Sequence, residues 1–345
     1  MYSLLPIKYL EREGIKDGFN SSHAYAVALD SLYGAYLKAT YPLEYFSVVL
    51  NIYKKSKTKQ SELINELSHF DIVLDGIKFG KSKSEYSFDK DTRTIYKGIS
   101  TIAYMNESVA NGLYELGKNK YDKNDWVRLI LDIIEGSIAD NRQMNILINL
   151  GYFDMFGDVS VLLEVFNTVT GYQNKKINPV ISNGEKLDVK YSKTHKEPTK
   201  QKRIPMIQRY YELVLLNKDL LPKITLFDKL QYEIEYMGYA TTIDMKAPND
   251  RYVVMSVMTQ YTPVYKLYHL FDGSEAIYKI DKKKAYAKNV EITEQRLIVD
   301  EGDIIDLTET SLRPKMQLVD GKWIKNEDVM QSYIERVKIV EKRKV

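Results

Sequence analysis

Residues 18–46 read GFNSSHAYAVALDSLYGAYLKATYPLEYF, and the parsing of the whole chain depends on how this stretch is read. After the Gly18 turn signal, Val27, Leu29, Leu32, Tyr33, Tyr36 and Leu37 recur close to helical spacing, and Pro42 marks where that helix stops. The spacing predicts one long helix with a polar mouth. Asn20, Ser21, Ser22 and His23 bring amide, hydroxyl and imidazole groups to the free N–H groups of a helix N-terminus, where a phosphate is well received. The same residues make an ordinary N-cap, because Ser and Asn satisfy those N–H groups in helices of every kind.

Around this stretch, 345 residues with 44% hydrophobic content suffice for two or three globular domains. Without Cys there are no disulfides or thiolate sites, and His23, His69, His195 and His269 are too scattered to read as a ligand set, so no His- or Cys-bound metal is expected. No apolar run approaches the ~20 residues of a membrane span, and the start MYSLLPIKYLEREG is too short and too soon charged for a secretory signal; a cytoplasmic protein is expected. The formal charge of +3 says little about partners. Its distribution says more. From Gly171 to Tyr210 there are ten basic residues, among them Lys193, Lys196, Lys200, Lys202 and Arg203, against Glu185, Asp188 and Glu197, a balance of 10 − 3 = +7. Such a strip suits a phosphate backbone and equally suits a solvated linker.

After Pro42, Phe46 to Tyr53 extend a second helix that the run KKSKTK (Lys54 to Lys59) interrupts as a loop; Ser61 to Phe70 reads as a further helix, and Asp71 to Ile77 as extended. GISTIAYMNESVANGLYEL (Gly98 to Leu116) has the outline of a helix-hairpin-helix whose hairpin lacks glycines and carries Glu107, which points to a structural copy with Asn106 or Ser108 as helix cap. Trp126 to Ile134 is an amphipathic helix, and NRQMNILINLGYFDMFG (Asn141 to Gly157) has a helix face ended by Gly151, with Tyr152 and Phe153 plugging the turn and Arg142 as its basic residue. Pro179, Gly184, Pro198 and Pro205 break the basic strip. Helical spacing resumes at Pro205 to Leu216 and Phe227 to Met237, and the string Lys223 to Phe227 ends in the Leu-Phe of a sliding-clamp peptide while fitting a buried Leu226 and Phe227 better.

From Arg251 the period changes to two. RYVVMSVMT, VYKLYHLF, SEAIYKI, DIIDLTE and PKMQLV read as five strands with a helical stretch between the third and fourth, the order of an OB-fold barrel. Tyr261, Tyr265, Tyr268, Phe271 and Tyr278 are its candidate base-stacking residues, with Tyr265 and Tyr268 foremost. Asn326 to Lys344, with Val329, Tyr333 and Val337 four residues apart, reads as a closing helix.

Gly18, Phe19, Asn20, Ser22, His23, Ala24, Ala26, Tyr33, Ala35, Tyr36, Leu37, Lys38, Tyr41, Pro42 and Glu44 together resemble the fingers motif of the bacterial replicative DNA polymerase III alpha subunit, the C family. Ser21 stands where that family usually has Lys, and Val27 where it usually has Tyr. The two helix-hairpin-helix copies and the OB-like strands follow in the family's order. The resemblance implies a multidomain α + β chain: the latter part of the fingers (1–75), a tandem helix-hairpin-helix domain (76–170), a basic linker with a helical connection (171–245) and an OB-fold with a C-terminal helix (246–345).

It further implies nucleotide contact by Phe19, Asn20, Ser22 and His23 in a composite site, and DNA contact by Arg142, the strip lysines with Arg203, Tyr265 and Tyr268. In the family the Mg²⁺ carboxylates belong to a palm that precedes the fingers, and no Asp-x-Asp strand occurs in this sequence. The implied chain is the C-terminal piece of a split polymerase, of a kind a virus or mobile element encodes. Its partners would be DNA, a palm-bearing subunit that holds the Mg²⁺, and a sliding clamp. The alternative is a non-catalytic DNA-binding or replisome-interaction protein derived from the same subunit.

Overall fold

The computed structural model describes residues 21–54, 56–171, 179–182, 200–260, 262–281, 293, 298–319 and 321–343. The chain divides into two compact units, Met1–Val73 with Phe88–Ile95, and Leu74–Ser87 with Tyr96–Val345. It crosses between them in three short strands, β1 (Val73–Asp75), β2 (Ser87–Asp89) and β3 (Thr94–Tyr96), ordered β1–β3–β2.

In the first unit the long helix of the opening stretch is present as α1 (Ser21–Thr40), followed by α2 (Pro42–Ile52) and α3 (Lys57–Leu67). Pro42 sits at the start of α2, where its missing N–H costs nothing. Helix α3 begins at Lys57, inside the expected lysine loop. Leu43, Phe46 and Leu50 on α2 and Leu67 on α3 are buried, and Phe46 meets Phe70 edge to face.

The second unit begins with a helical layer: α4 (Glu107–Gly117), α5 (Trp126–Glu135), α6 (Asn141–Asn149), α7 (Val159–Gly171), the single turn α8 (Pro179–Ser182), α9 (Lys200–Leu216) and α10 (Leu226–Tyr232), which runs into a π turn at Glu233–Met237. The caps are local. Asn106 accepts from the Val109 N–H, and Asp140 with Gln143 and Thr225 with Asp228 form reciprocal capping boxes. Gly151, with φ +76°, turns the chain after α6 so that Tyr152, Phe153 and Phe156 enter one core with Phe79 and Trp126. Helix α9 runs five residues ahead of Pro205, so Lys200, Lys202 and Arg203 belong to a helix rather than to a linker.

The C-terminal part is a closed barrel of β4 (Arg251–Met258), β5 (Val264–His269), β6 (Glu275–Lys279), β7 (Ile304–Val319) and β8 (Lys322–Glu341), ordered β4–β5–β6–β8–β7 and back to β4. Among the barrel strands β6 and β8 pair in parallel, and Thr293 adds an isolated parallel bridge to Val337. The expected third-to-fourth-strand helix falls mostly outside the described residues. Two readings are corrected. The expected fourth and fifth strands are halves of one strand, β7, and the expected closing helix is β8. Opposite Glu309 and Thr310 the ladder slips, leaving Glu335 as an extra residue in β8; Ile334 and Val337 point inward while Tyr333 stays outside and Val329 is exposed, so the four-residue spacing of Val329, Tyr333 and Val337 marks no common face.

Candidate nucleic-acid interface

In β5 and β6 the period of two decides which side chains can meet a ligand. Tyr265 and Leu267 point into the barrel core beside Tyr278, while Val264, Lys266 and Tyr268 point outward. Helix α10 then covers part of that outer surface, packing Phe227 and Leu230 against Val253, Met255 and Tyr268. What stays open runs across β6, β8 and β7. Lys266 lies opposite Ile277, Val264 opposite Lys279, Lys279 beside Tyr333, and Tyr333 opposite Ser311.

The side chains here pair locally in three groups. Lys266 pairs with Glu275 at 2.8 Å, and the Lys279 ammonium donates to Gln331 Oε1 at 2.8 Å. The Arg313 guanidinium lies 4.3 Å from the Tyr333 ring centre and is held there by Glu335, which also accepts from the Ser311 hydroxyl. A planar cation fixed on a half-buried ring, flanked by a 65% exposed Ile277 and two lysines, offers both a stacking surface and phosphate partners. Sequence reading missed Arg313 and Tyr333 because it placed Tyr333 on a helix; the alternation Tyr333, Glu335 against Ile334 was the available signal.

Of the residues singled out in the sequence, Tyr265 and Tyr268 are 3% and 1% exposed, one inside the barrel and one under α10, so neither presents a ring face to a base. Burial pushes the Tyr265 hydroxyl up to about 12 and raises that of Tyr268 as well. Phe227 is likewise 6% exposed with the Arg343 guanidinium 4.5 Å from its ring, so the clamp-like string is core packing. Phe19, Asn20, Lys193 and Lys196 lie outside the described residues. Ser22 and His23 occupy the first turn of α1, and Lys200, Lys202 and Arg203 the start of α9; only the backbone of these five is described.

Arg142 is exposed in the first turn of α6, its guanidinium 3.4 Å from the ring centre of Tyr104. Tyr104 carries a left-handed φ of +67° in the turn before α4, and its carbonyl accepts from the Gln143 amide at 2.9 Å. The turn before α4 and the first turn of α6 thus meet at Tyr104. Nearby, Lys97 is 1% exposed and has tyrosine hydroxyls as partners, Tyr239 at 2.8 Å and Tyr86 at 3.3 Å. Burial pulls its amine down to about 7. Glu233, also buried, accepts from the Thr241 and Thr242 N–H groups and the Thr242 hydroxyl, and so ties the π turn to the segment leading into the barrel. Among the described residues no group of three or more His, Asp or Glu side chains is arranged to hold a metal ion, and no helix is long and apolar enough to cross a membrane.

No protein-family model matches the chain. It is similar to the DNA polymerase III subunit alpha of Ureaplasma parvum (30% identity over 140 residues, 41% of this chain and 14% of that protein), of Thermus aquaticus (27% over 149 residues, 42% and 12%) and of Campylobacter jejuni (31% over 145 residues, 41% and 12%). The matched stretch spans less than a fifth of each of these relatives. Over about two fifths of its own length, then, this chain is related by sequence to the bacterial DNA polymerase III alpha subunit, the replicative C-family polymerase.

Proposed function

We propose that the chain supplies the end of the fingers and the DNA-binding domains of a C-family replicative DNA polymerase whose palm is carried by a separate, cytoplasmic polypeptide. The observation that carries this reading is α1. Tyr25, Val27, Leu29, Leu32, Tyr33, Tyr36 and Leu37 are each 47–73% exposed, and all but Val27 fall within one broad apolar stripe, an arc of about 140° at about 100° per residue. An apolar stripe of that width ordinarily packs against another surface, so α1 calls for a cover that the described residues do not provide. In this assembly Phe19, Asn20, Ser22 and His23 contact the incoming nucleotide, the palm partner holds Mg²⁺, and Arg142 with the basic strip holds DNA. Ser21 in place of the family's Lys leaves the triphosphate grip to the partner's cations.

Co-expression with palm-bearing polypeptides tests this. The chain is expected to co-purify with one of them and to complete a primer-extending enzyme. Leu32→Glu with Tyr36→Glu should abolish co-purification with the circular dichroism unchanged, and His23→Ala should slow extension without preventing assembly. Purification of the chain free of any palm-bearing protein, with no extension on mixing, overturns the reading and leaves the non-catalytic DNA-binding alternative.

A further inference from the structure

Residues 238–250 lead from the helical layer into the barrel, and this strap is fastened on both sides. It starts at Gly238, which ends the π turn with φ +85°. Toward the barrel, the Tyr268 hydroxyl donates to the Thr242 carbonyl at 2.8 Å and the Asp244 N–H to the Leu270 carbonyl at 2.7 Å. Toward the helical layer, Glu233 holds the Thr241 and Thr242 N–H groups, and Tyr239 enters the cluster of Lys97 and Tyr86. Lys97 directly follows β3 and Tyr86 directly precedes β2, so the cluster ties the strap to the ends of two strands.

The three polar atoms of the cluster close a triangle. The Lys97 amine is 2.8 Å from the Tyr239 oxygen and 3.3 Å from that of Tyr86, and the two hydroxyls are 2.9 Å apart. Three groups satisfy one another in such a ring when each donates one hydrogen bond and accepts one. Both hydroxyls can do this and so can a neutral amine, but an ammonium has three donors and no acceptor. A charged Lys97 therefore breaks the ring and leaves a donor without a partner at a side chain that is 1% exposed. The Tyr239 ring face, 4.1 Å from the amine, attracts the cation without supplying the missing countercharge. Among the described residues the titratable groups around the amine are Tyr86, Tyr239 and, acting on Tyr239, Glu233 of the π turn, whose oxygens are taken by Thr241 and Thr242. Burial pulls the Lys97 amine down to about 7, in agreement with the ring geometry.

We propose that this triangle is a proton-operated latch: a neutral Lys97 amine holds the strap to the helical layer, and uptake of one proton by Lys97 frees it there while the barrel side stays fastened. One residue separates Tyr239 from Thr241, so a freed Tyr239 also loosens the two N–H bonds to Glu233. Between about 7, where the closed cluster titrates, and the 10.5 of a free lysine, the open form holds one more proton, and the latch tightens about ten-fold per pH unit. Below about 7 both forms are protonated, and its strength no longer changes. The proposal is independent of DNA and of any palm partner.

Hydrogen exchange of the full chain from about pH 7 to about pH 9, corrected for intrinsic rates, tests it. The Thr241 and Thr242 amides are expected to gain protection about ten-fold per pH unit, equally with and without about 1 M urea, because a local opening exposes little surface. Amides of β4 and β5 should exchange more slowly and respond to the urea. Lys97→Met keeps the bond between the two hydroxyls and should hold the strap amides at constant protection across the range. In the unmodified protein one lysine Cε carbon-13 signal should titrate near 7, and its absence from Lys97→Met assigns it. Strap amides that open only together with β4 and β5 overturn the latch, as does equal protection at both ends of the pH range or a pH dependence that survives in Lys97→Met. Lysine signals that all titrate near 10.5 in the unmodified protein overturn it without reference to any variant.

Discussion

At the scale of single residues, burial separates side chains that serve the fold from those that can serve a ligand. Lys97 stands with the fold. Its amine is held near 7 in the folded chain against 10.5 when free, so between those values the unfolded chain binds the extra proton and stability rises with pH. Below about 7 both states are protonated, and the full cost of burying the charge, on the order of a few kcal/mol, is present. Tyr239 stays a hydroxyl throughout because burial raises its pKa. Lys97→Met keeps the 2.9 Å bond between the Tyr86 and Tyr239 hydroxyls and should stabilise the protein at neutral and acidic pH, with the rise toward pH 10 abolished. Urea unfolding of both proteins across that range checks it, and an unaltered pH profile would refute it.

Tyr265 and Tyr333 give the complementary contrast. Tyr265→Ala empties a ring site inside the barrel and should cost about 3 to 5 kcal/mol in thermal or urea unfolding. Tyr333→Ala removes a half-buried ring on the outer surface and should cost well under half of that, its effect appearing instead in oligonucleotide binding.

At the scale of elements, close approach decides where glycine is required. A Cβ on Gly98 would come within 2.6 Å of the backbone at Ser84 and Glu85. That contact is fixed by the Ile99 N–H to Lys83 carbonyl and Ser100 N–H to Ser84 carbonyl bonds, so nothing flexible can yield. Gly98→Ala should cost at least about 1–3 kcal/mol, read as a lowered denaturation midpoint. Gly34 is the opposite case. It lies in the middle of α1 with open space around its Cα, and Gly34→Ala should strengthen that helix by about 1 kcal/mol, visible as slower amide exchange across α1.

At the scale of the molecule, the basic strip between Gly171 and Tyr210 and the barrel surface belong to the second unit and should act together on DNA. If four to six of the strip's cations meet phosphates, log K should fall with log salt at a slope of about −3 to −5, and replacing Lys193, Lys196, Lys200, Lys202 and Arg203 with Ser should flatten it. Glu107→Gly should leave it unchanged, since Glu107 lies in the first turn of a helix already capped by Asn106. The chain alone should extend no primer with Mg²⁺ and all four nucleotides, and extension by the purified protein would contradict a separately carried palm.

The sequence by itself determined several of the helices. Local signals suffice for them: Pro42 starts α2, Asp140 with Gln143 caps α6, Gly151 turns the chain, and the stripe of Trp126, Ile130 and Ile133 faces the core. It also determined the relationship to the polymerase III alpha subunit, because the residues from Gly18 to Glu44 carry that resemblance in their order. Only the tertiary structure decided the last strand and the surface beside it. The spacing of Val329, Tyr333 and Val337 reads as helical, yet Val329 is exposed, Tyr333 lies outside and Val337 is buried, and the bulge at Glu335 that separates these faces is set by the partner strand rather than by local propensity. The same holds for Tyr265, Tyr268 and Tyr333. All three sit in β-strands, and which of them meets solvent depends on barrel closure and on the helix that packs over β4 and β5, contacts made by residues far apart in the chain.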